Sequence, residues 1–399
     1  TGTGSPLTVT NQAGGYLQAG GLSGDTLAIN GTNTTFNSNA GGVAFGHQLL
    51  LSLSALTNAG NIQSGAAGST ITATNINNTG TLKSQGSAAL NVATSFDNAG
   101  SLLTAVGLTL RGVDGYYSIN NTGRMESGGL LDVKGSGNGR GVDIAVGSSG
   151  VMLGNSVDIH AGTLNIDNDG ALTSQGDMTV NLDSLDFGGP KSRIVGSTSS
   201  GTTDVVLSSG FSNTGAIHSG DILNFNAPWI TNSSTGGFSA LGTLNLKATS
   251  GNFENYGALY SSGGLSAGAT STFTNKPVTG TINANNITLT ADTFYNNSTI
   301  RALNDIAITT TGNFYNEPEG GLPTISLDWA NASFVDDESN YAYHVNNETS
   351  CSDCNTFSAL EDTYHVTETS SGLPDVIPQI LAGRNMNIHY GKGDGYNKA

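Results

Sequence analysis

Cys351 and Cys354 are the only cysteines of the chain, and they form a Cys-x-x-Cys pair. In an oxidising compartment such a pair closes a small disulfide loop, and we predict that bond here. The alternative is a tetrahedral zinc site that adds His344 and His365, because thiolate and imidazole are ligands that zinc prefers. These histidines lie far apart in the sequence, one on either side of the pair, which is not the arrangement of a zinc finger. A redox role is disfavoured because no βαβ pattern surrounds the pair.

Three other patterns could carry chemistry, and each has a structural interpretation that we favour. Residues 165–170 resemble the opening of a calcium loop, but position twelve is Gly176 where a bidentate Glu is needed. Asp158 and His160 lie on one side of a predicted strand and could form an acid–base pair, although nothing nearby would orient the histidine. Residues 135–141 are rich in glycine but lack the lysine of a phosphate-binding loop. We therefore predict no catalytic residue, no metal and no cofactor.

The strongest binding candidate is an acidic and aromatic stretch between residues 317 and 381. It contains 12 acidic residues and no Lys or Arg. Aromatic rings supply contact area at interfaces, and carboxylates speed encounter with a basic partner in a salt-dependent way. The residues that we predict to bind a receptor are Trp329, Phe334, Asp336, Asp337, Glu338, Tyr341 and Tyr343. The alternative is a cap that covers an end or edge of the fold.

Composition restricts the kind of protein that could present these residues. Glycine supplies 57 of 399 residues, charged residues only 11%, and the formal net charge is −17. Nucleic acid is excluded as a partner, because neutralising phosphates requires clustered Lys and Arg. Collagen is excluded because the glycines have no period of three. The chain has neither an initiator Met nor a signal peptide, so we expect Thr1 to be an internal point of a longer protein.

The triplet Asn-x-Gly recurs along the chain. Successive triplets are separated by about 20 residues or by about twice that distance, which is a spacing typical of repeat architectures. They end at Gly41, Gly60, Gly80, Gly100, Gly123, Gly170, Gly215 and Gly257. Related turns at Asn232, Asn275, Asn297 and Asn316 continue the series. Between the turns, apolar and polar residues alternate with a period of two, as in Leu244-Asn245-Leu246, which is typical of half-buried strands.

A unit of about 21 residues that holds three short strands and three turns is one rung of a parallel β-helix. We predict an all-β, right-handed parallel β-helix of about 15 rungs, in which Asn and Gly at the corners adopt left-handed backbone angles and Asn amides stack into ladders. An antiparallel sandwich or barrel is the alternative fold, but its hairpins do not impose a fixed register of this kind. The predicted organisation is an irregular start at 1–54, repeats at 55–316, the insertion at 317–381 and a resumed β-helix at 382–399.

The repeats resemble those of two-partner-secretion exoproteins, the filamentous-haemagglutinin-like adhesins and contact-dependent growth inhibition proteins. The resemblance lies in the pattern Asn-x-Gly-x-Ile/Leu-x-Ser, which Asn213–Leu223, Asn255–Leu265 and Asn78–Leu90 carry best. It covers most of residues 55–316 and resumes after Leu381. Autotransporter passengers share the architecture, but this pattern is closer to the haemagglutinin repeats.

The resemblance implies a non-enzymatic filament segment on the surface of a Gram-negative cell, exported through a dedicated outer-membrane transporter. Its partner would be an outer-membrane receptor, protein or lipopolysaccharide, on a neighbouring bacterium, or a host-cell surface. The irregular stretch 317–381 suits a receptor-binding region better than a uniform shaft. The alternative function is a β-helical polysaccharide lyase or hydrolase, which would need Asp or Glu clustered with Arg or Lys in a groove.

Overall fold

Alternating small, polar and aliphatic residues fold the chain into short parallel strands that climb in a stack of similar turns. The computed structural model describes residues 6–19, 24–198, 200–318, 324–335, 363–371, 377–391 and 395–397. The chain forms two compact units, one of residues 1–317 and 376–399 and one of residues 318–375. The first unit is a parallel β-solenoid of about 14 turns whose rungs are about 21 residues apart, which confirms the predicted fold class.

The elements follow one another in chain order, with one short helix among those described. The first strands are β1 Leu7–Asn11, β2 Tyr16–Ala19, β3 Thr26–Asn30, β4 Thr34–Ser38, β5 Val43–Asn58, β6 Asn61–Asn78, β7 Thr81–Ser84, β8 Ala88–Asn98, β9 Ser101–Thr104, β10 Leu108–Gly112, β11 Tyr117–Asn121 and β12 Arg124–Lys134. A 3₁₀-helix at Ser136–Asn138 follows. The next strands are β13 Val142–Val146, β14 Val151–Ile166, β15 Ala171–Ser174, β16 Met178–Phe187, β17 Arg193–Gly196, β18 Thr202–Leu207, β19 Phe211–Asn213, β20 Ala216–Ser219, β21 Ile222–Ala227, β22 Ile230–Asn232, β23 Gly237–Ala240, β24 Thr243–Ala248, β25 Phe253–Asn255, β26 Ala258–Ser261 and β27 Gly264–Ala269. The last are β28 Thr272–Asn275, β29 Thr281–Ala284, β30 Asn286–Ala291, β31 Thr293–Asn296, β32 Thr299–Ala302, β33 Ile306–Thr310, β34 Phe314–Asn316, β35 Thr324–Val335, β36 Thr363–Ser371, β37 Gln379–Ala382, β38 Met386–Tyr390 and β39 Gly395–Asn397.

Each turn of the solenoid contributes to three sheet faces. We call the face that contains β9 face 1, the face that contains β10 face 2 and the face that contains β11 face 3. After β11 the chain returns to face 1, where β12 pairs with β9 in parallel, with Met125 beside Leu102. Some strands bend round the corners, and β6 runs along all three faces. Equivalent residues of successive turns therefore stand above one another in columns.

The interior columns are filled by aliphatic and aromatic side chains. On face 3 the fully buried rings of Phe253, Phe273 and Phe294 stack with centroid distances of 4.7 and 5.2 Å. On faces 1 and 2, Leu, Ile, Val and Met fill most of the equivalent inward positions. A single rung has no layer above or below it to cover these side chains, so the stacking of rungs is what forms the core.

A second kind of interior column consists of asparagine, as the sequence predicted. Asn58, Asn78, Asn98 and Asn121 form one ladder, in which each Nδ2 donates to the next Oδ1 at 2.6–2.8 Å. A second ladder, with donor–acceptor distances of 2.8–2.9 Å, consists of Asn213, Asn232, Asn255, Asn275, Asn296 and Asn316. Between the two ladders the same column holds apolar residues, at Val146, Ile166 and Phe187. Stacked amides thus satisfy each other where water is excluded.

The reason for glycine in the triplet differs from the one that we predicted. Gly100 has no left-handed φ; instead, a Cβ at this position would lie 2.1 Å from the carbonyl oxygen of Gly80 one turn away. Gly80 has the same relation to Gly60, at 2.2 Å. Close stacking of corners therefore requires glycine there, whereas Gly41 is a triplet glycine that does have a left-handed φ, of 80°.

The solenoid keeps its register across the second unit. β32, β33 and β34 pair in parallel with β37, β38 and β39, so that Ile300 lies beside Ile380 and Ile308 beside Ile388. Residues 318–375 thus leave the stack at the end of one turn, and the next turn continues it without a shift. Within this second unit, the described strands β35 and β36 pair in antiparallel orientation.

Candidate functional site

The predicted receptor-binding residues fall partly on strand β35 of the second unit. Trp329 and Phe334 lie on β35, and Phe334 is opposite Tyr364 of β36. The pairing shifts register between Asp328 and Ser333, so Trp329 is at an irregularity of the strand. Five further predicted residues lie outside the described residues: Asp336, Asp337, Glu338, Tyr341 and Tyr343. The same holds for Cys351 and Cys354 and therefore for the predicted disulfide.

The segment that resembles a calcium loop is a corner of the solenoid. Gly170 N donates to Asp167 O at 2.8 Å, which closes a tight turn, and Asp169 has a left-handed φ of 75°. Two of its side-chain oxygen atoms have partners from the next turn. Asp169 Oδ1 lies 3.4 Å from Lys191 Nζ, and Asn168 Oδ1 accepts the Lys191 backbone N–H at 3.1 Å. Across the residues that the structure describes, no three His, Cys, Asp or Glu side chains could hold a metal ion together.

A network of charged side chains on the outside of face 2 contains Asp158 and His160. Asp132 of β12 and Asp158 of β14 occupy one column on adjacent turns, and Arg111, Lys134 and His160 occupy the next. Strands of a sheet are about 4.8 Å apart, so the two carboxylates would repel each other. Lys134 lies between them, with Nζ 2.5 Å from Asp158 Oδ2 and 3.3 Å from Asp132 Oδ1. Arg111 forms an ion pair with Asp132 from the other side.

The geometry of this network does not provide an acid–base pair. His160 Nε2 lies 3.1 Å from Asp158 Oδ1, but Asn181 Nδ2 also approaches Nε2, at 3.3 Å. The Asn181 amide and Asp158 thus approach the same ring nitrogen, and the other oxygen of Asp158, Oδ2, is already paired with Lys134 Nζ. Both carboxylates are held by cations. The network therefore joins successive turns and does not present a free base.

Sequence reasoning missed Arg111, Asp132 and Lys134 as members of this network. The signal was available in their spacing, because Arg111 and Lys134, like Asp132 and Asp158, are separated by one turn of the repeat or slightly more. The excess between Asp132 and Asp158 arises at the corners, because Asn121 and Arg124 are three positions apart whereas their partners Val146 and Val151 are five apart. Without knowledge of these corner lengths, the column assignments could not be read from the repeat alone.

Lys134 makes a pH dependence of stability testable. Burial lowers the pKa of its ammonium group, but the hydrogen bond to Asp158 and the charges of Asp132 and Asp158 outweigh burial, and the pKa is raised above 10.5. A raised pKa in the folded state means that this stabilisation is complete below the ordinary pKa and is lost as the pH rises through the folded value. We expect Lys134→Met to lower the free energy of unfolding by about 1–3 kcal/mol at pH 8.

The measurement is urea unfolding followed by circular dichroism between pH 7 and pH 11.5. The difference between the wild-type protein and Lys134→Met is expected to stay constant up to about pH 10 and then to shrink. Lys83→Met is the matched control, because Lys83 is exposed on face 1 and forms no ion pair among the described residues. Its effect should stay within about 0.5 kcal/mol at every pH. A difference for Lys134→Met that grows above pH 10 would contradict the proposed role of the ammonium.

No helix in the part of the chain that the structure describes is long and apolar enough to cross a membrane. Comparison of the chain with protein-family models, with curated protein sequences and with solved structures found no match.

Proposed function

We propose that this chain is a non-enzymatic segment of a secreted or cell-surface filament of a Gram-negative bacterium, and that the unit Pro318–Asp375 binds a receptor on a neighbouring cell. The observation that carries the proposal is the unbroken register of the solenoid on both sides of this unit. The stack would be complete without it. A segment that the framework does not need, and whose sequence departs from the repeat, supports a role in recognition.

The surface of the solenoid itself supports the same division of roles. Its outward columns are rich in Thr, Ser and Asn, as in Asn75, Ser95 and Ser118 on face 3. Columns of similar residues on successive rungs give a protein receptor few distinctive features to recognise. In the second unit, the two described strands β35 and β36 pair antiparallel, and β35 contains Trp329 and Phe334. Aromatic anchors of this kind contribute much of the binding energy at protein interfaces.

One observation favours the alternative of a polysaccharide lyase or hydrolase. The network of Arg111, Asp132, Lys134 and Asp158 places acidic and basic side chains together on one sheet face. These carboxylates are engaged by cations and lie mostly buried, however, with exposed fractions of 13% for Asp132 and 28% for Asp158. Release of oligosaccharides from a polysaccharide, lost on Asp132→Asn, would favour the enzyme.

The deciding variant removes the inserted unit and restores an ordinary corner. In the preceding turn, Asn296 of β31 is joined to Thr299 of β32 by two residues, and these positions are equivalent to Asn316 and Gln379. Replacing residues 318–378 by one serine therefore recreates a two-residue corner between Asn316 and Gln379. We expect the circular dichroism spectrum of the solenoid to persist and binding of the fluorescently labelled protein to cells to fall at least tenfold.

Binding is measured by flow cytometry on a panel of Gram-negative strains and on cultured epithelial cells. The full chain is expected to bind at least one of them in a saturable manner. The control is Tyr260→Ala in the full chain, which removes an exposed ring from face 1 and should leave binding unchanged. Equal binding of the full chain and the folded deletion variant would refute a receptor site in the inserted unit, as would absence of binding by the full chain to every cell type.

A further inference from the structure

A groove with both polar and apolar walls lies on the outside of face 2, beyond the charged network along the stack. It has a volume of about 570 Å³ and is lined by residues of β18, β21, β24, β27 and β30. Its depth has a simple cause. Lys247, Gly268 and Thr290 occupy one outward column, and Gly268 contributes no side chain to it. Next to that position stands the short side chain of Ser266, so the sheet surface is uncovered here.

On the floor of the groove, side-chain hydrogen bonds link successive rungs, and each is donated by the later residue to the earlier one. Asn245 Nδ2 donates to Asn224 Oδ1 at 2.8 Å, and Asn224 Nδ2 donates to Asp204 Oδ1 at 2.6 Å. Each amide nitrogen has a second hydrogen that these hydrogen bonds do not use, and Asn245 Oδ1 and Asp204 Oδ2 remain as acceptors. The three side chains are only partly buried. The floor thus presents donors and acceptors on successive rungs in fixed orientations.

The charge of the groove favours an uncharged ligand. Among the lining residues, Asp204 is the only acid and Lys247 the only base. A polyanion would meet the Asp204 carboxylate, and a polycation would meet the Lys247 ammonium. A chain of hydroxyl groups, each of which can both donate and accept, matches the mixture of amides, carboxylate and ammonium.

Trp229 lies on the corner that follows β21, one of the strands that line this groove. Its side chain is exposed, with a relative accessibility of 45%. The indole lies against the backbone of Gly210 one turn earlier, because a Cβ at Gly210 would fall 1.8 Å from Trp229 Cε2. On the next turn, a Cβ at Gly251 would be 3.2 Å from Trp229 Cβ. Glycines on the turns before and after Trp229 therefore leave room for this residue, and its indole packs on the backbone of Gly210 at the surface.

The groove and the tryptophan are adjacent along the chain. Ala248, Ala269 and Thr270 line the end of the groove. The residues that follow them, Ser250, Gly251 and Ser271, line a second depression together with Trp229. The two depressions thus adjoin at the corner between faces 2 and 3.

We infer that this surface binds an uncharged glycan chain. The apolar face of a pyranose ring would pack on the Trp229 indole, and the hydroxyl groups of the following sugars would hydrogen-bond to Asn245, Asn224 and Asp204 in the groove. An exposed aromatic ring beside convergent, fixed polar groups supplies both contact area and orientation. The site is separate from the inserted unit, so it does not depend on the function proposed above.

The chain offers a direct optical test, because Trp229 and Trp329 are its only tryptophans. In the variant Trp329→Phe, the tryptophan fluorescence comes from Trp229 alone. The probes are uncharged hexasaccharides of glucose, mannose, xylose and N-acetylglucosamine in β-1,4 linkage and of glucose in α-1,4 linkage. We expect at least one of them to change the emission in a saturable manner, and isothermal titration calorimetry of the wild-type chain with that sugar to give the same dissociation constant.

Three variants locate the binding. Asn245→Leu and Trp229→Ala are expected to weaken binding at least tenfold by calorimetry, whereas Tyr260→Ala, which removes an exposed ring from face 1, should leave it unchanged. Thermal melting verifies that each variant is folded. If Trp229→Ala does not fold, Asn245→Leu alone tests the location of the binding site. The protein in which one serine replaces residues 318–378 is expected to bind the sugar as well as the full chain.

The inference is overturned if no uncharged hexasaccharide binds with a dissociation constant below about 1 mM. Binding that survives both Asn245→Leu and Trp229→Ala would place the sugar elsewhere and would also overturn it. Preference for polygalacturonate or heparin over every uncharged probe would show that the ligand class is wrong. Loss of sugar binding on deletion of the inserted unit would assign the sugar to that unit instead.

Discussion

Replacing Phe273 by alanine is expected to lower the free energy of unfolding of the solenoid by about 3–5 kcal/mol. The ring is fully buried, and it stacks between Phe253 at 4.7 Å and Phe294 at 5.2 Å. The substitution would remove the apolar surface of the ring, leave a cavity and break two aromatic contacts at once. The rungs on either side cannot close the cavity without losing the backbone pairing of β25, β28 and β31.

Urea unfolding followed by circular dichroism measures this effect. In a solenoid each rung contacts only its neighbours, so a weakened interface near Phe273 can also split one unfolding transition into two. Phe273→Leu retains most of the volume and should cost only about 1–2 kcal/mol. Tyr260→Ala removes an aromatic ring of similar size from the outside and should cost less than about 1 kcal/mol. Equal losses for Phe273→Ala and Tyr260→Ala would show that the aromatic stack is not a main source of stability.

The fold could be predicted from the sequence because its period is local and repeated. An alternation such as Leu244-Asn245-Leu246 indicates an inward, outward and inward residue, and the structure has Leu244 and Leu246 buried. The recurrence of the unit along the chain then indicates which strands stack. Neither inference needs a long-range contact to be known. The number of turns, about 14 against about 15 predicted, follows from the same period.

The positions of individual asparagines could not be predicted from the motif alone. Asn39 and Asn168 each begin an Asn-x-Gly triplet, yet the ladder column holds Ser38 and Ile166 on those turns. At Asn296-Asn297 the ladder contains Asn296, whereas the repeat pattern predicts the turn at Asn297. Corners vary in length, and one extra residue moves a side chain from the interior to the surface. Only the backbone register decides which asparagine points inward.

The same reasoning explains what was missed at the surface. Trp229 does not stand out in the sequence, since nothing beside it in the chain indicates a binding platform. Its supports, Gly210 and Gly251, lie about one turn of the repeat away in each direction. Aligning the sequence on the repeat period would have placed both glycines next to the tryptophan. The hydrogen-bonded column of Asp204, Asn224 and Asn245 could have been found in the same way, because these residues also recur once per turn.

Replacing Asn78 by alanine is expected to destabilise the solenoid by about 2–4 kcal/mol, although it removes no apolar contact. The side chain is fully buried. Its Nδ2 donates to Asn98 Oδ1 at 2.7 Å and to Ser101 O at 3.1 Å, and its Oδ1 accepts from Asn58 Nδ2 at 2.8 Å. Alanine would leave a donor on Asn58 and acceptors on Asn98 and Ser101 without this partner in the interior. Unpaired buried polar groups cost about 1–3 kcal/mol each.

The neighbouring residue provides a matched control for this prediction. Asn77 is on the same strand and has the same side chain, but it is exposed on the outside of face 3. Asn77→Ala should change the free energy of unfolding by no more than about 0.5 kcal/mol, measured by urea unfolding under identical conditions. Because the two substitutions are chemically identical and adjacent, intrinsic strand propensity largely cancels between them. The remaining difference measures the ladder. If the two variants are equally stable, the amide column contributes nothing beyond filling space, and the recurrence of asparagine must then be attributed to the backbone conformation of the corner.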